Sequence, residues 1–314
     1  MTTSKEYIGI QNYNELTGEE VTFLHTGINK FDSFYSIKGG IGWGTMNYVT
    51  GSSGAGKTTV AAMLQSIIKD ETSAMYQRES LGVQVRDRNE NLGFHKNCFI
   101  ADAKSCPHLD NFMAEVDKHN IRILIIDSLQ VVAADYLEEE GSGSAAEKRV
   151  YMMLLDWVQR TGGIVLLIGH VNKDDGFKGD NGIIQMMDAH LEFIYDDKTG
   201  ESFCRFGQKN RLGLKGNDNR LFYKFRGNGN GVEFFTEAEW RVVFQRRSIG
   251  DYLAPFMQDY VDAFKEKDNY KTFMKTLKQY QNELFSNNDV TNHQMLGLMF
   301  TKISELVEEY ELLK

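Results

Sequence analysis

The run Gly51-Ser52-Ser53-Gly54-Ala55-Gly56-Lys57-Thr58-Thr59 sets glycine, lysine and hydroxyl side chains at the spacing G-x-x-x-x-G-K-[ST], carried by Gly51, Gly56, Lys57 and Thr58. Those residue types at that spacing bind phosphate. Glycines let the loop's backbone N–H groups, from Gly51 through Thr59, converge on an anion, and the positive end of a following helix adds to the attraction. The Lys57 ammonium can reach β- and γ-phosphates, and the Thr58 hydroxyl can ligate Mg²⁺. Met46–Thr50 reads as the strand before the loop and Val60–Lys69 as the helix behind it. That setting separates a phosphate loop from a chance glycine turn. The expected ligand is a nucleoside triphosphate with Mg²⁺.

Three further residues suit that ligand. Ile123-Leu124-Ile125-Ile126-Asp127 is an apolar run ending in an acid, as in a buried parallel strand whose terminal carboxylate holds Mg²⁺ opposite Thr58. Glu79 follows the strand candidate Ser73–Tyr76, where a carboxylate could orient and deprotonate an attacking water. Spacing alone equally allows a surface glutamate that begins a helix. His170 follows the apolar run Ile164–Gly169 and so stands at a strand end. There it either senses the γ-phosphate by hydrogen bonding or is satisfied by neighbouring backbone. Asn172-Lys173-Asp174-Asp175 also spells the guanine-reading pattern N-K-x-D, but its companion D-x-x-G fails because Gln130 stands three residues after Asp127.

The elements that must position these groups form a repeating pattern. Between Thr26 and Trp240 short apolar strands alternate with amphipathic helices, the signature of a mainly parallel sheet flanked by helices. Strands are expected at Asn47–Thr50, Cys98–Ala101, Ile121–Ile126, Gly163–Gly169 and His190–Tyr195, with a helix at Lys148–Thr161. Glycine- and polar-rich stretches at Glu138–Ala146 and Lys173–Gly182 read as long loops, and the alternation of Arg205–Phe235 reads as antiparallel strands. After Gly250 the texture becomes helical at Tyr252–Phe264, Tyr270–Phe285 and Thr291–Leu313. The expected organisation is an N-terminal segment 1–25, an α/β core 26–249 and a small helical appendage 250–314. The appendage's apolar stripe (Phe256, Tyr260, Phe264, Phe273, Leu277, Tyr280) is either core or a docking face for a protein partner.

The chain has 314 residues, ordinary apolar and charged fractions, and no apolar run of membrane-spanning length. Cys98, Cys106 and Cys204 show no zinc-type pairing, and no signal-peptide layout opens the chain, so a cytoplasmic location is expected. A formal net charge of −9 argues against a nucleic-acid-coating surface, yet allows basic loops gathered inside an assembly.

Taken together, these residues resemble the RecA/RadA (Sms) family of recombination and repair ATPases. Thr26-Gly27-Ile28, Phe31-Asp32 and Gly39-Gly40-Ile41 are similar to the family's segment before the P-loop. Glu79-Ser80, Gln84-Val85-Arg86-Asp87-Arg88 and Leu92-Gly93 resemble its "EES…Q…R…RLG" stretch, which implies that Glu79 is the catalytic glutamate. Asp127-Ser128-Leu129-Gln130 resembles "DSIQ", Gly169-His170-Val171-Asn172-Lys173-Asp174 resembles "GHVTKEG", and Met186-Met187-Asp188 falls at "HMVD". Lys209-Asn210-Arg211-Leu212-Gly213 is similar to "KNRFG", whose lysine and arginine act across a subunit boundary. The resemblance therefore implies a RecA-like fold, ATP as the nucleotide and Lys209 and Arg211 completing a neighbour's site in a ring or filament. It also implies DNA, single-stranded or branched, as partner, with Lys173, Lys178 and Gly176–Gly182 in a DNA-facing loop. Glu138-Glu139-Glu140 in the other such loop would repel DNA.

The family's zinc module has no counterpart before Thr26, nor its protease-like domain after Gly250, so the expectation is a motor core with its own appendage. A hexameric replicative helicase of the DnaB type and a KaiC-like ATP-dependent switch remain the rival readings.

Overall fold

A computed structural model describes residues 21–88, 90–93, 95–170, 181–196, 199–214, 219–226, 231–241, 270–286 and 292–309. The chain divides into two compact units between Phe234 and Phe235. The expected boundary at 249/250 lies outside the described residues.

The first unit is built on a nine-stranded sheet. In chain order its strands are β3 (Met46–Gly51), β4 (Ser73–Gln77), β5 (Cys98–Asp102), β6 (Ile123–Asp127), β7 (Ile164–Ile168), β8 (Ala189–Asp196), β9 (Glu201–Asn210), β10 (Arg220–Phe225) and β11 (Val232–Phe235). A separate two-stranded ribbon pairs β1 (Phe23–Leu24) with β2 (Ile41–Gly42). The spatial order is β11-β10-β9-β8-β3-β7-β6-β4-β5. The run from β8 through β3, β7, β6 and β4 to β5 is parallel, whereas β8–β9 and β9–β10 are antiparallel. This is the expected α/β architecture of a RecA-like core, including the antiparallel addition after Arg205.

Consecutive residues of the central strands feed two separate cores. In β6, Ile123 and Ile125 face one cluster, and Leu124 and Ile126 the other. In β7, Ile164, Leu166 and Ile168 oppose Val165 and Leu167 in the same way. Continuous apolar runs are therefore required, because both faces are covered. The first face receives α1 (Asn29–Tyr35), α2 (Lys57–Ile67) and α3 (Gly82–Arg88); the second receives α4 (Leu109–Lys118), α5 (Leu129–Ala134) and α7 (Gly143–Thr161). Burying each such Leu, Ile or Val contributes about 1.5–3 kcal/mol.

The stretch expected as the loop Glu138–Ala146 is instead two helix ends. Helix α6 (Leu137–Glu140) stops at Gly141, whose φ of 73° suits a left-handed cap. Ser142 then caps α7 by accepting a hydrogen bond from Ala145 N at 3.2 Å. Arg149 pairs with Glu139 and Glu140, so local ion pairing absorbs two of the three acids that argued against DNA. The second expected loop lies outside the described residues except at its end, where α8 (Asn181–Met186) begins.

In the second unit the helices Tyr270–Ser286 and Asn292–Glu309 pack on one another. Phe273, Leu277, Leu284, Met299, Ile303 and Leu306 are buried. The expected helix Tyr252–Phe264 lies outside the described residues. No helix among the described residues is long and apolar enough to cross a membrane.

Candidate nucleotide site

Four neighbouring parallel strands, β3, β7, β6 and β4, end together at one edge of the sheet. Parallel register aligns Gln77 with Asp127, Asp127 with Ile168, and Ile168 with Val49. The P-loop, Glu79, Asp127 and His170 all issue from this edge, as ligand sites do in open parallel sheets.

The P-loop backbone is shaped by two glycines. Gly56, at φ 92°, precedes α2; a Cβ there would lie 2.2 Å from the Phe225 ring. At Gly51 a Cβ would lie 2.3 Å from Phe193 O. Between them Ser52, Ser53 and Gly54 are exposed, leaving their backbone accessible to a ligand. Tyr223 supports the loop by donating from its hydroxyl to Ala55 O at 2.7 Å. The Lys57 side chain is 5% exposed and its ammonium donates to Gly51 O at 2.7 Å and Ser52 O at 3.0 Å. Burial lowers its pKa, against the opposing pull of Asp127 and Glu79.

Thr58 Oγ1 donates to Asp127 Oδ2 at 2.7 Å. Asp127 is 2% exposed, and its carboxyl is raised by burial and by the Glu79 charge, against a lowering hydrogen bond from Thr58. The same oxygen accepts from Gln77 Nε2 at 3.1 Å, and Gln77 Oε1 accepts from Glu79 N at 3.1 Å. Glu79 Oε1 accepts from Ser128 Oγ at 2.8 Å and lies 2.6 Å from His170 Nε2. Burial pushes the Glu79 carboxyl up, but hydrogen bonds from His170 and Ser128 and the charges of His170 and Lys57 outweigh it, leaving it below the ordinary glutamate value. His170 N donates to Gln130 Oε1 at 3.1 Å, which fixes the start of the segment after β7.

The donor set fits Mg²⁺. One hydroxyl and one buried carboxylate lie side by side, and no cluster of three His, Cys, Asp or Glu exists among the described residues. Mg²⁺ characteristically takes one or two protein oxygens and completes its shell with waters and phosphate.

Lys209 and Arg211 stand elsewhere. Asn210, at the end of β9, pairs with Ala189 at the start of β8, which in turn pairs with Asn47 near the start of β3. Arg211 Nη1 donates to Asp188 Oδ1 at 2.6 Å, Asp188 Oδ2 accepts from Met46 N at 2.9 Å, and Lys209 Nζ donates to Gln185 O. β3 is six residues long, so this edge lies about 17 Å from the P-loop at roughly 3.3 Å per residue. The two basic side chains therefore do not join their own chain's nucleotide site.

Comparison with known proteins shows what the chain is similar to. Residues 71–176 match the AAA domain family, a span that holds Glu79, Asp127 and His170. The DNA repair protein RadA of Pseudomonas aeruginosa is 25% identical over 210 residues, covering 64% of this chain and 45% of that protein. RadA of Escherichia coli is 27% identical over 218 residues, covering 65% and 45%. A KaiC-like protein from Pyrococcus horikoshii superposes with a TM-score of 0.55 at 21% identity, covering 68% of this chain and 99% of that one. The chain is similar to the RecA/RadA-type P-loop proteins and has a RecA-like core fold. It spans about 45% of the length of the RadA relatives.

Within this RecA/RadA-like core, motif reading missed Gln77, Gln130 and Phe225 as members of the site. Gln77 is signalled only by its register opposite Asp127, and Phe225, 42% exposed, only by the close approach of β10 to Gly56. Gln130 carried a signal, since it ends the "DSIQ"-like run, but its contact with His170 N needs the fold.

Proposed function

We propose that this chain is an ATP-hydrolysing DNA motor of the RecA/RadA type, acting in the cytoplasm as an assembly on single-stranded or branched DNA in recombination, repair or replication. The observation that carries the reading is the hydrogen-bonded line from Thr58 through Asp127 and Gln77 to Glu79 and His170 beside the P-loop. In this reading the P-loop N–H groups and Lys57 bind the β- and γ-phosphates. Thr58 and Asp127 hold Mg²⁺, which when bound neutralises charge on those phosphate oxygens. Glu79 takes a proton from the attacking water, and its depressed pKa keeps it ionised at neutral pH. His170 and Ser128 hold that carboxylate in place from one side.

Lys209 and Arg211, directed away from their own P-loop, serve the neighbouring subunit's γ-phosphate. Each site is then complete only at a subunit boundary. Lys173 and Lys178 contact the DNA backbone, and the Glu79–His170 contact links phosphate chemistry to the segment that carries them.

The deciding experiment is ATP turnover with and without single-stranded DNA, followed by strand-separation and strand-exchange assays. DNA is expected to raise turnover. An ATPase rate indifferent to DNA would overturn the motor and favour a switch that hydrolyses ATP without translocating.

A further inference from the structure

Asp127 and Glu79 belong to different strand ends, and their charges oppose one another across the site. One side chain joins them. Gln77 is 2% exposed, stands in register opposite Asp127, and points its amide between the two carboxylate-bearing residues. Nε2 donates to Asp127 Oδ2 at 3.1 Å, and Oε1 accepts from Glu79 N at 3.1 Å.

A carboxamide carries a donor and an acceptor on separate atoms without a charge. A carboxylate at this position would meet Asp127 with a like charge, and an apolar side chain would leave the Asp127 oxygen and the Glu79 N–H without this partner. The amide has one satisfying orientation, because its N–H₂ must face the carboxylate and its carbonyl the backbone N–H. Asp127 Oδ2 therefore receives two donors, Thr58 Oγ1 and Gln77 Nε2, which fix the rotation of the carboxylate about its Cβ–Cγ bond.

We propose that Gln77 is a positioning residue that sets the Asp127 carboxylate and the Glu79 backbone in one frame, so that the Mg²⁺-binding and water-activating groups are held at fixed separation. The inference rests on the proposed roles of Asp127 and Glu79. It predicts that Gln77 acts on turnover and on Mg²⁺ use rather than on nucleotide affinity as such.

The test compares the wild-type chain with Gln77→Met, which keeps volume and removes both hydrogen bonds, and Gln77→Glu, which keeps shape and introduces a charge. Glu79→Ala and Lys57→Ala serve as controls for the underlying reading, and thermal melts establish that each variant folds. In both Gln77 variants kcat is expected to fall about 10- to 100-fold with the KM for ATP within about 3-fold, the consequence of a displacement on the order of 1 Å at the reacting groups. A second readout avoids turnover altogether. The Mg²⁺ concentration that half-saturates tightening of a fluorescent ATP analogue should rise about 10- to 100-fold, the usual effect of removing a partner of a metal ligand.

Unchanged kcat and unchanged Mg²⁺ dependence in either folded variant would overturn the proposal, as would a loss confined to KM. If Gln77→Met does not fold, Gln77→Glu decides alone. Wild-type turnover that is indifferent to Glu79→Ala and Lys57→Ala would overturn the proposed function instead. The Mg²⁺ dependence of analogue binding would then still decide the role of Gln77.

Discussion

The two edges of the central sheet are built on opposite principles. At the edge where β3, β4, β6 and β7 end, the functional side chains hold one another: Thr58 to Asp127, Asp127 to Gln77, Gln77 to Glu79, Glu79 to Ser128 and His170. At the other edge Lys209 and Arg211 are held by groups of their own neighbourhood, Gln185 O and Asp188, and Arg211 remains 57% exposed. The first edge is preorganised, with each donor already aimed, which is how a site acts on charge that develops during reaction. The second is a basic pair on an exposed surface, with local partners weak enough to be exchanged, since an ion pair of this exposure contributes about 0–1 kcal/mol. In the proposed function the first edge is one subunit's half-site and the second supplies a neighbour's.

The largest expected effect breaks the first edge. Lys57→Ala should lower ATP turnover by at least about 10³-fold, because it removes the P-loop cation that meets the β- and γ-phosphates. A variant retaining wild-type turnover would remove the nucleotide site as argued. The second effect tests the other edge. Arg211→Ala should lower turnover by about 10³-fold while leaving binding of a fluorescent ATP analogue within about 3-fold, as for an arginine finger. Its thermal stability should shift by no more than the worth of an exposed ion pair. Mixing Arg211→Ala with Glu79→Ala should restore part of the activity, because some boundaries then combine an intact Glu79 with an intact Arg211. Absence of any rescue, with turnover unaffected by Arg211→Ala alone, would make the Arg211–Asp188 contact a local structural pair and dissolve the contrast between the edges.

The same contrast explains what could be read from the sequence. The parallel sheet was legible because its strands are apolar on both faces, and an acid closing such a run, as Asp127 does, is conspicuous. Glu79 and His170 were legible as strand-end residues, though only the fold brings them within 2.6 Å. Gln77 was not legible, since its role depends on β4 lying beside β6 rather than on any local motif. The Glu138–Ala146 stretch was misread because its glycines and acids look like a loop. In the structure Gly141 and Ser142 are the stop and start signals of two adjoining helices, and Arg149 pairs with Glu139 and Glu140. Composition reports average polarity; capping depends on single residues at single positions.

The smallest effect is the most discriminating for the preorganised edge. Ser128 Oγ donates to the same Glu79 oxygen that faces His170. Ser128→Ala removes one of the contacts that lower the Glu79 pKa, so the carboxyl should protonate at higher pH than in the wild type. The sign follows directly. A base is active only when ionised, so the acid limb of the kcat profile marks where Glu79 gains its proton, and losing a stabilising donor must move that limb upward. At neutral pH, where Glu79 stays ionised in both proteins, the loss should be only about 5-fold, the worth of one hydrogen bond of about 1 kcal/mol to an oriented group. A variant that loses activity equally at every pH would mean that Ser128 shapes the edge without touching the ionisation of Glu79. An acid limb that moves downward would mean that Glu79 is not the group titrating in catalysis. Only an upward shift of the limb with a small loss at neutral pH ties the rate to the carboxylate that Ser128 and His170 jointly hold.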